Sequence, residues 1–170
     1  MSRDLLKRIA RLRVPLGFVL GAATAWLAHP TPRSLTIGGA IAVIGESLRL
    51  WAAGHLEKGR EVTTSGPYRW TRHPLYVGTS VMGVGLVVAA ASAVVGVVVL
   101  GYLGVALSAA IRTEEAHLTE KFGAAYPEYR EGRSAGGRRQ FSFARAFRNR
   151  EHRAIAGLAI ALAILAWKAG

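Results

Sequence analysis

Cysteine is absent from this 170-residue chain, which excludes disulfides, thiolate metal sites and cysteine nucleophiles. Metal-ligand spacing is missing too: His29, His55, His117 and His152 have no partners at useful separations and read as structural or solvated, so no metal is expected. Acidic residues are scarce, with ten Asp and Glu against 22 Lys and Arg and a formal charge of +12. No internal repeat or low-complexity run stands out, and the one flexible-looking piece is "EGRSAGGRR", Glu131 to Arg139. The first apolar block lacks a small-residue cleavage site, so it reads as a retained helix rather than a signal peptide.

What the chain has is apolar mass. Hydrophobic residues make up 51% of it and its mean hydropathy is +0.27, so its length suggests one domain and its composition a membrane one. The blocks Pro15 to Ala28, Leu35 to Gly54, Tyr76 to Ala91, Ala93 to Ile111 and Ala154 to Trp167 lie mostly near the roughly 17 to 25 residues that span a bilayer. The expectation is an all-α polytopic protein with about five transmembrane helices, residues 1–170 forming a single domain. The third and fourth spans must meet in a tight helical hairpin at Ala91-Ser92-Ala93, because one helix through both is about twice as long as a membrane is thick. The last block is short enough to lie in the interface instead.

Placement of charge argues against nucleic acid as a partner. Arg3, Lys7, Arg8, Arg11 and Arg13 precede the first block, Lys58, Arg60, Arg69 and Arg72 follow the second, and ten more basic residues run from Arg112 to Arg153. The opposite side holds only Arg33 and Lys168. That asymmetry follows the positive-inside rule and places the N-terminus in the cytoplasm, in a membrane expected to be a bacterial inner membrane.

One stretch, "SGPYRWTRHPLYVG" from Ser65 to Gly78, crowds turn residues, aromatics and cations before an apolar run. Pro74 suits the first turn of a helix, which puts Arg72 and His73 at its N-terminus, where free N–H groups and the helix dipole favour an anion. Arginine adds a bidentate clamp for a carboxylate or phosphate. Tyr76 offers an aromatic face and Gly78 room for a ligand or a neighbouring helix. The same residues also read as an interfacial belt, with Tyr68, Trp70 and Tyr76 as headgroup anchors.

Across the hairpin, Glu114 and Glu115 follow Arg112 at the end of the fourth block. Two carboxylates at a helix C-terminus oppose its dipole, so something must compensate them, either nearby arginines or a ligand. A zwitterionic ligand fits between the anion cradle and the carboxylates. Within the second block, Glu46 and Arg49 are three residues apart and read either as an intrahelical ion pair or as a wall of an acceptor site.

These motifs resemble the isoprenylcysteine carboxyl methyltransferase and phospholipid methyltransferase group of integral membrane enzymes. "GPYRWTRHPLYVG" is similar to that group's Gly-Pro-Tyr, Arg-His-Pro, Tyr and Gly signature. "EEAHLTEKFGAAYPEYR" is similar to its Glu-Glu pair followed by Phe-Gly and two tyrosines, Tyr126 and Tyr129. The likeness runs from about Leu48 to Arg130, leaving 131–170 as a basic amphipathic segment, with Phe141, Phe143 and Phe147 among arginines, and a last span. One departure is that "EGRSAGGRRQFSFARAF" stands where many relatives have a Pro-Arg-aromatic-hydrophobic-Pro segment. The resemblance implies S-adenosylmethionine as methyl donor at the cytoplasmic helix ends and a lipophilic acceptor. By it, Arg72, His73, Tyr76 and Gly78 fall in the first half of the donor site and Glu114 and Glu115 in the second. The chemistry of transfer also reads Arg72 and Glu115 as beside the reacting groups, and Arg49 and Glu46 as a wall of the acceptor site. Membrane lipid and a lipophilic small molecule are the expected partners. A transporter with Glu46, Glu114 and Glu115 as a relay, and a non-catalytic scaffold, are the alternatives; inverted repeats, which a transporter favours, are not evident.

Overall fold

The structure is a computed structural model and describes residues 19, 21–133 and 136–170. Residues 15–18 and 20 of the first expected span, and the basic residues before it, lie outside the described residues, and 21–27 are helical.

Helix α1, Pro32–His55, starts at a capping box. The Thr31 hydroxyl accepts from the Ser34 amide at 3.1 Å, and the Ser34 hydroxyl accepts from the Thr31 amide at 2.9 Å, which satisfies two of the orphan donors at the helix start. A short 3-10 turn, Gly66–Arg69, leads to helix α2, Pro74–Ala90, with proline at its first position. Gly66 is required twice over: its φ is +58°, and a Cβ there would sit 2.6 Å from the His55 ring. Ala91, at φ 48°, ends α2, and Ser92 caps α3, Ala93–Phe122. That is the tight hairpin expected from the apolar runs.

Helix α3 continues past the expected boundary at Ile111. At 1.5 Å per residue its 30 residues extend about 45 Å, longer than the roughly 30 Å hydrocarbon core. The last turns, carrying Glu114 and Glu115, therefore project beyond the apolar part. Short helices α4, Ala125–Arg130, and α5, Phe143–Arg148, precede α6, Glu151–Ala169. Among the described residues three helices, α1, α3 and α6, are long and apolar enough to cross a membrane, and α2 is apolar but shorter at 17 residues. Among the described residues there is no strand, and the architecture is that of an all-α polytopic membrane protein.

Small residues hold α1 against α2. A Cβ on Gly85 would lie 2.7 Å from both Ala42 Cα and the Gly38 carbonyl; one on Gly45 would lie 2.7 Å from the Gly78 carbonyl and 2.8 Å from Met82 Cα. Gly38 and Gly45 on one helix thus face Gly78 and Gly85 on the other, seven residues apart on each. Backbones at that separation gain dispersion and Cα–H···O contacts that larger residues would forbid. Large apolar side chains point outward instead, Trp26, Val97, Val105 and Trp167 among them. In water those surfaces would cost about 25 cal/mol per Å²; facing lipid they do not.

The segment expected to be flexible is tied down where it is described. The Gly137 amide donates to Thr64 Oγ1 at 2.8 Å and its carbonyl accepts from Arg69 at 2.9 Å. Farther on, Asn149 Nδ2 donates to the carbonyls of Ala53 and Leu56 at 2.9 and 2.8 Å, and the Ser142 amide donates to the Gly54 carbonyl at 3.1 Å. These are the orphan carbonyls at the end of α1, capped by residues about 90 positions later. Glu57 anchors the arrangement: Arg145 Nε lies 2.8 Å, Arg148 Nη2 3.2 Å and Arg139 Nη1 3.4 Å from its Oε1. The Arg145 hydrogen bond, before the charges of the other arginines, holds the Glu57 carboxyl below the usual range. Phe141 to Arg148 is accordingly a docking piece, with Phe143 and Phe147 the most exposed of its aromatics, as an interfacial segment requires.

Candidate active site

A cavity of about 750 Å³ opens where α2, α3 and α4 meet the loop after α1, within the roughly 300–1,000 Å³ of sites that enclose small ligands. Helix α2 contributes Tyr76 at its start, with Arg72 and His73 just before it; α3 contributes Glu114 and His117; α4 contributes Tyr126 and Tyr129. Val105, Ala106 and Ala109 from the membrane part of α3 form an apolar wall, and Arg49 closes the inner end.

The two glutamates have different situations. Glu115 does not line the cavity. Its Oε1 is 3.1 Å from His73 Nε2 and 3.4 Å from Arg72 Nη1, so it ties the α2 entrance to α3 from behind. The hydrogen bond from His73, more than the charge of Arg72, holds the Glu115 carboxyl below its usual range. Glu114 faces the cavity, and among the described residues no ion pair or hydrogen bond engages its carboxylate. A helix turns about 100° per residue, which is why adjacent carboxylates separate into a structural one and a free one.

Aromatic residues shape the floor. The His73 ring stacks on Tyr76 with centroids 5.7 Å apart, and Tyr129 Oη donates to the Tyr68 carbonyl at 2.7 Å. Burial raises the Tyr129 phenol to about 12. Burial and then the negative charge of Glu115 push Tyr126 up to about 12 as well, so both stay protonated at neutral pH and act as donors rather than bases.

Beneath the cavity lies a buried charge cluster. Arg49 Nε is 2.8 Å from Glu151 Oε1 and 3.4 Å from Glu46 Oε2, at ion-pair distance without hydrogen-bond alignment, and its Nη1 hydrogen-bonds Thr79 Oγ1. Glu46 does not reach the cavity wall; it is the intrahelical pair partner of Arg49, and only Arg49 faces the space. Gly78 is likewise turned away, since a Cβ there would lie 2.6 Å from Arg49 Cγ and 2.7 Å from the Gly45 carbonyl. That close approach places it at the α1–α2 crossing. Of the residues singled out from sequence, Arg49, Arg72, His73, Tyr76 and Glu114 share the cavity, while Glu46, Gly78 and Glu115 support it from outside.

Sequence reasoning missed Glu151, whose signal was a lone acid among arginines at the mouth of the last apolar run. It also set His117 aside, although its position three residues after Glu114 puts the two on one helix face.

With that geometry in place, the comparison with known sequences is decisive: the phospholipid methyltransferase model matches residues 16–125. The chain belongs to the phospholipid methyltransferase family. The stretch thus covered includes the α2 entrance and the Glu114–Glu115 pair, although the match ends just before Tyr126. The chain is also similar to the cobalt-zinc-cadmium resistance protein CzcN of Cupriavidus metallidurans, with 33% identity over 138 residues, 73% of this chain and 59% of that protein. It therefore spans less than two thirds of that relative's length. No solved structure matches the chain.

Proposed function

We propose that this protein transfers a methyl group from S-adenosylmethionine to a lipophilic acceptor at the cytoplasmic face of a bacterial inner membrane. The observation that carries the proposal is the single cavity in which Arg72 and His73, at a helix N-terminus, face the unpaired carboxylate of Glu114 while an apolar wall leads into the membrane part of α3. The relative's printed name gives a resistance rather than a reaction, so the acceptor is read from the cavity.

The residues fit the donor. Its amino-acid end is zwitterionic: Arg72 and the positive end of the α2 dipole suit the carboxylate, and Glu114 suits the ammonium or the ribose hydroxyls. When bound, the donor supplies an electrophilic methyl on a sulfonium. Because the sulfonium charge disappears on transfer, a carboxylate held against it would favour the ground state and slow the step, so Glu114 belongs at the amino-acid and ribose end. Glu115 keeps Arg72 and His73 in place. The rate enhancement comes mainly from alignment of the acceptor along the Val105, Ala106 and Ala109 wall, with Arg49 as the orienting cation at its inner end. A carboxylate acceptor releases no proton; a neutral amine releases one, which the His73–Glu115 pair can take up.

Calorimetry of the detergent-purified protein with S-adenosylhomocysteine tests the reading. Micromolar binding that Glu114→Gln weakens at least tenfold is expected. Absence of binding by the folded wild-type protein would refute donor use.

A further inference from the structure

A second, smaller hollow of about 280 Å³ lies beside the cavity, lined by Glu57, Lys58, Arg60, Arg148 and Asn149. It sits where α1 ends and α6 begins, two of the helices apolar and long enough to cross a membrane. Its charge is unbalanced. Around it Arg139, Arg145 and Arg148 converge on Glu57, and Arg139 also pairs with Glu61, so Lys58 and Arg60 bring the count to five cations against two carboxylates. Among the described residues neither Lys58 nor Arg60 makes an ion pair, and Arg148 reaches Glu57 with a single nitrogen. Asn149, by contrast, spends its amide on the carbonyls of α1 and fixes the backbone beside Arg148. In α5, which ends at Arg148 of the hollow, Phe143 and Phe147 are about two-thirds exposed. Exposed aromatics next to unpaired cations match the boundary of a bilayer, where rings enter the acyl region and cations meet phosphates.

The geometry points to a binding site for the phosphate of an anionic phospholipid, held by Lys58, Arg60 and Arg148, with Phe143 and Phe147 against its acyl chains. The site shares Glu57 and Lys58 with the rim of the large cavity but none of the residues proposed to hold the methyl donor, and it does not depend on that proposal. A net negative headgroup is required because a zwitterionic one brings its own cation into an already positive hollow. Free phosphate satisfies the cations but leaves the aromatics uncovered.

The full chain in neutral detergent, titrated with dioctanoyl phosphatidylglycerol, dioctanoyl phosphatidylcholine or inorganic phosphate and followed by native mass spectrometry and thermal unfolding, tests the site. Preferential binding and stabilisation by phosphatidylglycerol are expected, reduced about fivefold in Arg60→Gln and roughly a hundredfold in the variant combining Lys58→Gln, Arg60→Gln and Arg148→Gln. Should the triple variant fail to fold, Arg60→Gln decides alone, since its exposed side chain makes no hydrogen bond or ion pair among the described residues. Equal binding of both lipids, equal stabilisation by inorganic phosphate, or undiminished preference in Arg60→Gln would overturn the proposal.

Discussion

Replacing Gly85 by alanine places a methyl group 2.7 Å from Ala42 Cα and from the Gly38 carbonyl, both in the backbone of the facing helix. A side chain could turn aside; a helix backbone cannot, so α1 and α2 must separate. Overpacking of a tight contact costs typically 1–3 kcal/mol, and a backbone obstacle puts Gly85 at the upper end, about 3 kcal/mol. Alanine recovers about 1 kcal/mol through its better helix propensity. The net loss is about 2 kcal/mol, a fall in Tm of about 4–8 °C for a chain of this size. Gly104 is the control, because a Cβ there meets nothing within 4 Å and alanine keeps the propensity gain without the clash. Thermal unfolding of the two variants in one detergent, read from the fluorescence of the chain's four tryptophans, measures the difference. A Gly85→Ala protein as stable as Gly104→Ala would show that the helices are not in backbone contact and refute the packing argument. Gly78→Ala adds a second effect, because its methyl would press on Arg49 Cγ, and it should lower methyl transfer beyond what its stability loss explains.

Three further outcomes are expected. Glu115→Gln should weaken S-adenosylhomocysteine binding about tenfold, the low end for a charge-assisted bond because Arg72 is partly solvated. Because the folded-state pKa of Glu115 is depressed, its contribution is present above the unfolded value near 4.5 and is lost as pH falls through the lower folded value; calorimetry below pH 4.5 should show wild type approaching the variant, and an identical affinity at pH 7 would remove Glu115 from the site. Glu57→Gln should release Arg139, Arg145 and Arg148 and speed tryptic cleavage at those arginines, and an unchanged digestion rate would mean that Glu57 does not anchor the segment. A reporter fused after Arg133 should read cytoplasmic and one after Lys168 extracytoplasmic; matching readouts would place α6 in the interface, and swapped ones would reverse the proposed topology.

The sequence by itself determined the class of the fold and the two ends of the site. Apolar length and one-sided charge depend on composition along a single dimension, as do Pro74 at a helix start and the Ala91–Ser92 turn, so all were legible before any contact was known. Arg72, His73 and Glu114 were legible for the same reason, since a hairpin must bring its two open ends together. Only the tertiary structure decided how those residues divide the work. Glu114 and Glu115 are indistinguishable as a pair in the sequence, and the rotation of α3 turns one to the cavity and the other to Arg72 and His73. Gly78 offered room for a ligand or a helix, and the approach of α1 chose the helix. Glu151 reaches Arg49, and Asn149 and Arg145 reach the end of α1, across 91 to 102 positions. Hydrogen-bond and ion-pair partners that far apart leave no local pattern, because what selects them is unsatisfied backbone and buried charge that exist only once the helices have packed.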